Sequence, residues 1–394
     1  MSAPWTKGSI RPVRILSTCG PTILAVCTLF SGVDVGTVKA GYQRSEERCV
    51  VRGVLLPGDK EVVIKEFPDP KPGPGQVVVR MKASGICGSE LHGRYQPSKE
   101  HIAERGMADK IGGHEPAGVV EAVGEGVVNV QPGDRVMVYH IMGCGYCKYC
   151  LSGWMINCAT TWKSHGWTAH GGHADFLLTD ARNCVKMPDR LSFIDGAICA
   201  CAGGTAYQAT KRLGVSGLDT VALFGLGPVG LCGLLIAKGM GARVIGVDVI
   251  PERLELASKL GADVVIDGSR MDPVAAIRDL THGEGASVAI DYSASPAARN
   301  QTLDCCRVWG RVAWVGEGNK TTIEPSPQML HKQLTVIGSW VCGLWELREL
   351  GEFLADHSIS LERIVTHRFP LEQTDEALRL FDSGRTGKVV VVWP

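Results

Sequence analysis

Hydrophobic and polar positions fall into two regimes along the chain. From Cys49 to about Leu191 apolar residues alternate with polar ones or run in short β-branched blocks. Val50–Leu56, Glu61–Phe67, Gln76–Ala83, Val119–Val123, Val127–Val130 and Asp134–Tyr139 read as strands. Glycine and proline separate them, and Pro68, Pro70, Pro72, Gly73, Pro74 and Gly75 make one stiff turn. No helix longer than about two turns is expected in this region.

After Leu191 the period changes. Val221–Phe224 is a short apolar strand, Gly225–Gly230 a glycine-rich turn, and Leu231–Gly239 a helix. Ala242–Asp248 is a second strand, and Glu252–Leu260 a helix with Gly261 just past its end. Asp263–Ile266, Val288–Asp291, Gly310–Val315 and Leu334–Ile337 read as further strands. Strands alternating with helices imply βαβ units and a parallel sheet. Ile364–Pro394 adds two apolar strands around a helix at Gln373–Phe381. No internal repeat or low-complexity tract interrupts this order.

The first 48 residues stand apart. No acidic residue precedes Asp34, Lys7, Arg11 and Arg14 are basic, and Ile15–Phe30 is mostly apolar but short for a membrane span. They read as an extension, either disordered or a targeting peptide. The chain of 394 residues is long enough for two or three domains. Lys and Arg together number 41, as do Asp and Glu, so the formal net charge is zero. That fits a small-molecule partner and speaks against a nucleic-acid binder, which carries a basic stripe. A count of 15 cysteines is odd, and the chain is too long for a secreted disulfide scaffold. A reducing, cytoplasmic setting follows, with an organellar role for residues 1–48 as the other option.

The glycine turn carries the first chemistry. Gly225, Gly227 and Gly230 make a G-x-G-x-x-G run between a strand and a helix, and Asp248 lies 18 residues past Gly230. The first glycine permits the tight turn, the second lets backbone approach a pyrophosphate, and the third lets helix and strand pack closely. The helix N-terminus, at Pro228 and Val229, offers free N–H groups to phosphate. Asp248 would accept ribose hydroxyls and repel a 2′-phosphate, which favours NAD over NADP.

Thiols carry the second. Cys144, Cys147, Cys150 and Cys158 stand in C-x2-C-x2-C-x7-C spacing. Four thiolates fill a tetrahedral zinc and leave no opening, so this is a structural site. Cys87-Gly-Ser-Glu-Leu-His92 and Gly113-His-Glu115 are two further clusters with thiol and imidazole donors. A catalytic zinc takes three protein ligands and keeps the fourth position open.

These motifs, with Cys201-Ala-Gly-Gly-Thr-Ala-Tyr207, stand in the order found in the zinc-containing medium-chain alcohol dehydrogenases, and from Cys49 to Pro394 the chain resembles that family. The resemblance implies a β-rich GroES-like catalytic domain, 49–202 with 341–394, and a doubly wound Rossmann coenzyme domain, 203–340. It implies two zinc ions per chain and NAD. Cys87, His114 and Cys201 match the catalytic zinc ligands, with Cys199 a rival for the third. Glu115 matches a carboxylate near the metal. Ser89 matches the hydroxyl that bonds the substrate alcohol, and His92 the far end of a proton relay through the nicotinamide ribose. Thr205 matches a nicotinamide contact, Arg253 a basic residue beside the adenosine ribose, and Lys388 a pyrophosphate contact; Val315 joins the cofactor set. His140, Glu317 and Trp340 fall near the substrate pocket, where the other reading of each is a strand-end histidine, a solvated carboxylate and a core tryptophan. Glu90 departs from the family's usual Asp, and Gly88 stands where some members carry Arg.

The implied reaction is hydride transfer between an alcohol, secondary or polyol-like if the pocket is polar, and NAD. An aldehyde reductase or NAD-retaining dismutase is the alternative within enzymes. A zinc-stabilised binding protein without catalysis is the alternative outside them. A homodimer or homotetramer is the family's usual state, with an edge strand near Gly310–Val315 or Leu334–Trp340 as the pairing surface. No membrane partner is expected.

Overall fold

Two large β-sheets carry the chain. The structure is a computed structural model, and it describes residues 50–394. The readings for residues 1–48 therefore lie outside the described residues. Those described belong to one compact unit.

The first sheet has seven strands. Its order is Val365–Phe369, Lys388–Val392, Gln76–Ile86, Pro116–Val123, Arg135–Val138 and Cys184–Lys186, with Phe176–Asp180 also paired to Gln76–Ile86. All pairings but the first are antiparallel. The apolar alternation of Gln76–Ile86 buries Val77, Val79 and Met81 against Val120, Val136 and Leu177. A hairpin, Val50–Gly58 with Glu61–Pro68, lies beside it, closed by a turn with Asp59 and Lys60 at positive φ.

The second sheet has six parallel strands, in the order Val264–Asp267, Arg243–Asp248, Thr220–Phe224, Ala286–Asp291, Cys306–Trp314 and Thr335–Gly338. The third strand in this spatial order comes first in sequence, so the sheet winds outward both ways, as in dinucleotide-binding folds. Its strands are nearly continuous apolar runs because helices cover both faces. Val221, Leu223, Val244, Val288 and Ile290 face one core, while Ala222, Phe224, Ile245 and Ala289 face the other.

Most expected elements are present, shifted by one to four residues at their ends. Gly261 closes the helix Pro251–Leu260 in a left-handed cap at φ +101°. Three differences have physical causes. Val127–Val130 forms no strand: Gly126 at positive φ and Pro132 leave it too short to pair, and Val128 points to solvent. Phe176–Asp180 and Cys184–Lys186 complete the first sheet, though each is too short to show a period of its own. The segment Gly310–Val315 is no edge, because its strand pairs on both sides; the edge is Thr335–Gly338. Among the described residues no helix is long and apolar enough to cross a membrane.

Candidate active site

Three strand ends and one helix turn converge on a buried cluster. Cys87 follows the strand Gln76–Ile86, and His114 and Glu115 precede its antiparallel neighbour Pro116–Val123. Register pairs Ser84 with Pro116, so both groups arrive at one end of the sheet. Lys388 opens the strand on the other side, where Val389 faces Ile86. Cys201 comes from the π-helical turn Cys199–Gly203, which packs against the helix Pro228–Gly239. Cys87, His114, Glu115 and Cys201 are all buried, with one donor atom of each within 4.8 Å of the others. Cys201 lies in this set, and Cys199 is buried outside it.

Two thiols, an imidazole and a carboxylate at this spacing make a donor set suited to a borderline-soft cation such as zinc. The electrostatics agree. A hydrogen bond from Cys201 pulls the Cys87 thiol well below its usual range, against burial and with help from His114. Burial pushes Glu115 up to about 7, and Lys388 opposes it. Oε1 of Glu115 has no partner in the protein. Buried groups left without partners are what a ligating site presents before its ion is counted.

Lys388 differs from its expected role. It is fully enclosed, with Nζ 2.6 Å from Glu115 Oε2, though off the line of a well-formed hydrogen bond. An enclosed ammonium cannot touch a cofactor phosphate, so its partner is Glu115 rather than the pyrophosphate. Gly85 makes room for the pair, since a Cβ there would overlap the Glu115 carboxylate and the Lys388 chain.

Ser89 is half-buried, with Oγ 3.4 Å from both Cys87 Sγ and His114 Nε2. His92 is one helical turn on and exposed, its Nδ1 2.9 Å from Gln96 Oε1. His140 donates from Nδ1 to the Ala200 carbonyl at 2.9 Å, and its ring lies 5.2 Å from that of His114. Burial and the neighbouring His114 hold it down to about 3, so it stays neutral and keeps Nε2 as an acceptor. Glu317, on the loop after Cys306–Trp314, is pushed up by burial and by Cys87, while a hydrogen bond with Trp340 lowers it. Trp340 is exposed and shares a groove with Tyr149, Trp162 and Cys158.

At the glycine turn Gly225 adopts φ +92°, and a Cβ on Gly230 would overlap the Gly225 carbonyl. Gly227 caps the helix whose first residues are Pro228 and Val229. Asp248 is nearly enclosed and does more than await a ribose. Its oxygens accept from the backbone N–H groups of Leu226, Val249 and Ile250 at 2.6, 2.7 and 3.0 Å. Arg253 Nη1 stands 3.8 Å from Asp248 Oδ2. Val315 lies where Asp291 O accepts its N–H, and Thr205 in the first turn of Gly204–Arg212.

Cys144, Cys147, Cys150 and Cys158, on a lobe spanning 144–158, are free thiols with sulfurs within 4.8 Å of one another. Sulfur separations are 3.9 Å for Cys144–Cys150, 3.6 Å for Cys147–Cys150 and 4.0 Å for Cys147–Cys158. Backbone N–H groups outweigh burial to bring Cys158 down to about 6.

Three residues of the site carry no sequence signal. Trp167 packs on Gly93, its ring 6.0 Å from that of His114. Arg94 is fully buried and donates to the carbonyls of Gly166, Met107 and Lys110, tying two loops together. His173 lies against Gly113 and Glu90. Each acts across a long sequence separation, which a local pattern does not show.

A parallel dinucleotide-type sheet beside a buried thiol–imidazole cluster defines a class, the zinc-binding dehydrogenases. Comparison with known proteins gives the family. Residues 73–189 match the family model described as alcohol dehydrogenase GroES-like domain, and residues 228–356 the one described as zinc-binding dehydrogenase. The zinc-type alcohol dehydrogenase-like protein YphC of Escherichia coli (strain K12) is 43% identical over 351 residues, 86% of this chain and 98% of that protein. An L-threonine 3-dehydrogenase of Pyrococcus horikoshii is 34% identical over 325 residues, 82% of this chain and 92% of that protein. Among solved structures, an alcohol dehydrogenase (rspB) from E. coli CFT073 complexed with NADH aligns with a TM-score of 0.77 and 27% identity, covering 88% of this chain and all of that one. The chain belongs to the zinc-containing medium-chain dehydrogenase/reductase family of oxidoreductases, the alcohol dehydrogenases, with their GroES-like and Rossmann-type parts.

Proposed function

We propose that the chain is an NAD-dependent zinc alcohol dehydrogenase acting on a polar or secondary alcohol. The observation that carries this reading is the buried set Cys87, His114, Cys201 and Glu115, with Ser89 beside it. In this reading 49–202 with 341–394 is the catalytic domain and 203–340 binds NAD. Cys87, His114 and Cys201 hold the catalytic zinc with Glu115 alongside, and Cys144, Cys147, Cys150 and Cys158 hold a second, structural zinc. A homodimer or homotetramer in the cytoplasm completes it.

A bound zinc supplies Lewis acidity that stabilises an alkoxide. Bound NAD supplies the hydride acceptor. The protein does the rest. Ser89 would take the proton of the substrate hydroxyl as it passes its own on, and the exposed imidazole of His92 would release a proton to water at the far end of the relay, with a ribose hydroxyl of the cofactor between them. His140, neutral and accepting through Nε2, orients a second hydroxyl or amine of the substrate. Trp167 walls the cluster beside His114 and excludes water. The Asp248 carboxylate at the end of Arg243–Asp248 supports NAD over NADP, because a 2′-phosphate would meet a negative charge. The NADH complex of the structural neighbour supports the cofactor, and the L-threonine 3-dehydrogenase among the relatives supports a polar alcohol.

A turnover panel tests this: ethanol, a long-chain alcohol, benzyl alcohol, sorbitol and threonine, each with NAD and with NADP. Preference for sorbitol, threonine or another polar secondary alcohol with NAD is expected. Preference for plain primary alcohols would overturn the polar pocket, and preference for NADP would overturn the role of Asp248.

A further inference from the structure

The departure at Glu90 has a partner elsewhere in the chain. Glu90 is fully buried, three residues after Cys87. Its Oε1 accepts the Gly113 N–H at 2.5 Å. Its Oε2 stands between two buried imidazoles, 3.5 Å from His173 Nε2 and 4.0 Å from His114 Nδ1. Oε2, His114 Nδ1 and both ring nitrogens of His173 make no hydrogen bond in the protein, so these approaches are the nearest polar company they have. The backbone is shaped around this arrangement. Gly113 sits at φ +88°, where a Cβ would strike the His173 backbone and ring, and a Cβ on Gly112 would crowd Glu90 and His173 together. His173 is itself fixed by backbone pairing, its N–H to Gly112 O and its carbonyl to Val54 N–H.

We infer that His173 is a positioning residue for the cluster, clamping the Glu90 carboxylate between two imidazoles. His114 uses Nε2 on the cluster side, where Ser89 Oγ lies 3.4 Å away, so Nδ1–H is left to Glu90. A carboxylate on the second nitrogen fixes the tautomer and the ring direction of a ligating histidine. A Glu side chain has three rotatable bonds, so its carboxylate is a loose support unless both oxygens are held. His173 Nε2–H on the far side of Oε2 and the Gly113 N–H on Oε1 remove that freedom.

The inference rests on the reading that Cys87, His114 and Cys201 bind zinc. Zinc content and zinc affinity by competing chelator test it in His173→Phe, His173→Gln, Glu90→Gln and the double variant Glu90→Gln/His173→Phe. The Cys144–Cys158 site reports whether each variant is folded, by keeping its own zinc. We expect His173→Phe to weaken one zinc by about 10–100-fold and leave the other unchanged. His173→Gln, which keeps an N–H at similar reach, restores most of the loss. In the Glu90→Gln background His173→Phe adds little, because the shared partner is gone. With cobalt in place of zinc, the visible spectrum of His173→Phe shifts and that of His173→Gln does not. Two-zinc wild type with an unchanged His173→Phe, or additive losses in the double variant, overturns the clamp alone. A wild-type chain with one zinc overturns the site reading beneath it.

Discussion

Lys388 and Glu115 form an ion pair sealed from water at the floor of the cluster. Removing one partner of such a pair leaves an uncompensated buried charge, which costs about 3–5 kcal/mol, while removing both costs much less. Lys388→Met and Glu115→Gln should each lower unfolding stability by that amount. The double variant should recover most of it, as measured by denaturant midpoints. Equal losses that add in the double variant would mean that the two groups do not depend on each other.

A second residue-scale outcome concerns pH. His165 is buried, with its ring nitrogens 2.7 Å from His170 O and 2.8 Å from Thr179 Oγ1. Burial holds it down to about 4 against a usual 6.5. Between those values the unfolded chain binds a proton that the folded chain refuses. The stability tied to neutral His165 is therefore complete above 6.5 and lost as pH falls toward 4. From pH 7 to pH 5 this amounts to about 2 kcal/mol, and His165→Gln should flatten that slope. An unchanged slope in the variant would remove His165 from the acid limb.

The residues of the cluster were legible because each sits in a short motif: Cys87 with Ser89, His114 after glycines, Cys201 before a Gly-Gly-Thr run. Lys388 was misassigned because its motif gives a charge and a position but not a direction. Only the register that sets Val389 opposite Ile86 turns the ammonium inward. His173 was missed for a related reason. Nothing in Gly171-Gly-His-Ala-Asp175 says that the turn returns to Gly113, some sixty residues earlier in the chain.

At the scale of elements the four-cysteine lobe is set apart from the reacting cluster. Its sulfurs lie at one another's reach, and Gly143 is glycine because a Cβ there would press on Cys150 Sγ. Around it run one short helix, Lys148–Leu151, and a single 3-10 turn, Met155–Asn157, too little regular structure to hold the lobe without a crosslink. Cys147→Ser should release one zinc per chain and expose 144–158 to protease, while the chain that stays folded keeps its turnover. Loss of turnover in folded Cys147→Ser would give the lobe a chemical role. The glycine turn is a second element with a plain test. Gly230→Ala forces a Cβ into the Gly225 carbonyl, so it should weaken NAD binding at least about tenfold by displacing the helix N-terminus from the phosphates. Binding within twofold of wild type, by titration of NADH fluorescence, would contradict that (twofold is roughly 0.4 kcal/mol). Elements with a clear period were read well from sequence, and Val127–Val130 was not, since four residues of β-branched texture carry no information about a pairing partner.

At the scale of the whole molecule the division of labour follows from two sheets with different edges. The parallel sheet offers a glycine turn of the kind that binds phosphate where its strand order reverses, between Thr220–Phe224 and Ala286–Asp291. The antiparallel sheet offers three neighbouring strand ends, which can bring donors from distant parts of the chain to one point. The helix Pro228–Gly239 begins at the glycine turn and packs against the turn that bears Cys201, so one element touches both functions. The order of strands and helices was legible as an alternation of periods. That 388–392 joins the antiparallel sheet was legible only through the resemblance, which put 341–394 with 49–202; periodicity alone does not pair a strand with one some three hundred residues away. The central claim is that reaction depends on the sparse set Cys87, His114 and Cys201 rather than on the dense one. The most direct test is the rate of NADH formation from a preferred alcohol per folded chain of Cys87→Ala. The expected result is loss of turnover by at least about a thousandfold, on the scale of several kcal/mol of alkoxide stabilisation. Turnover at the wild-type rate would contradict it.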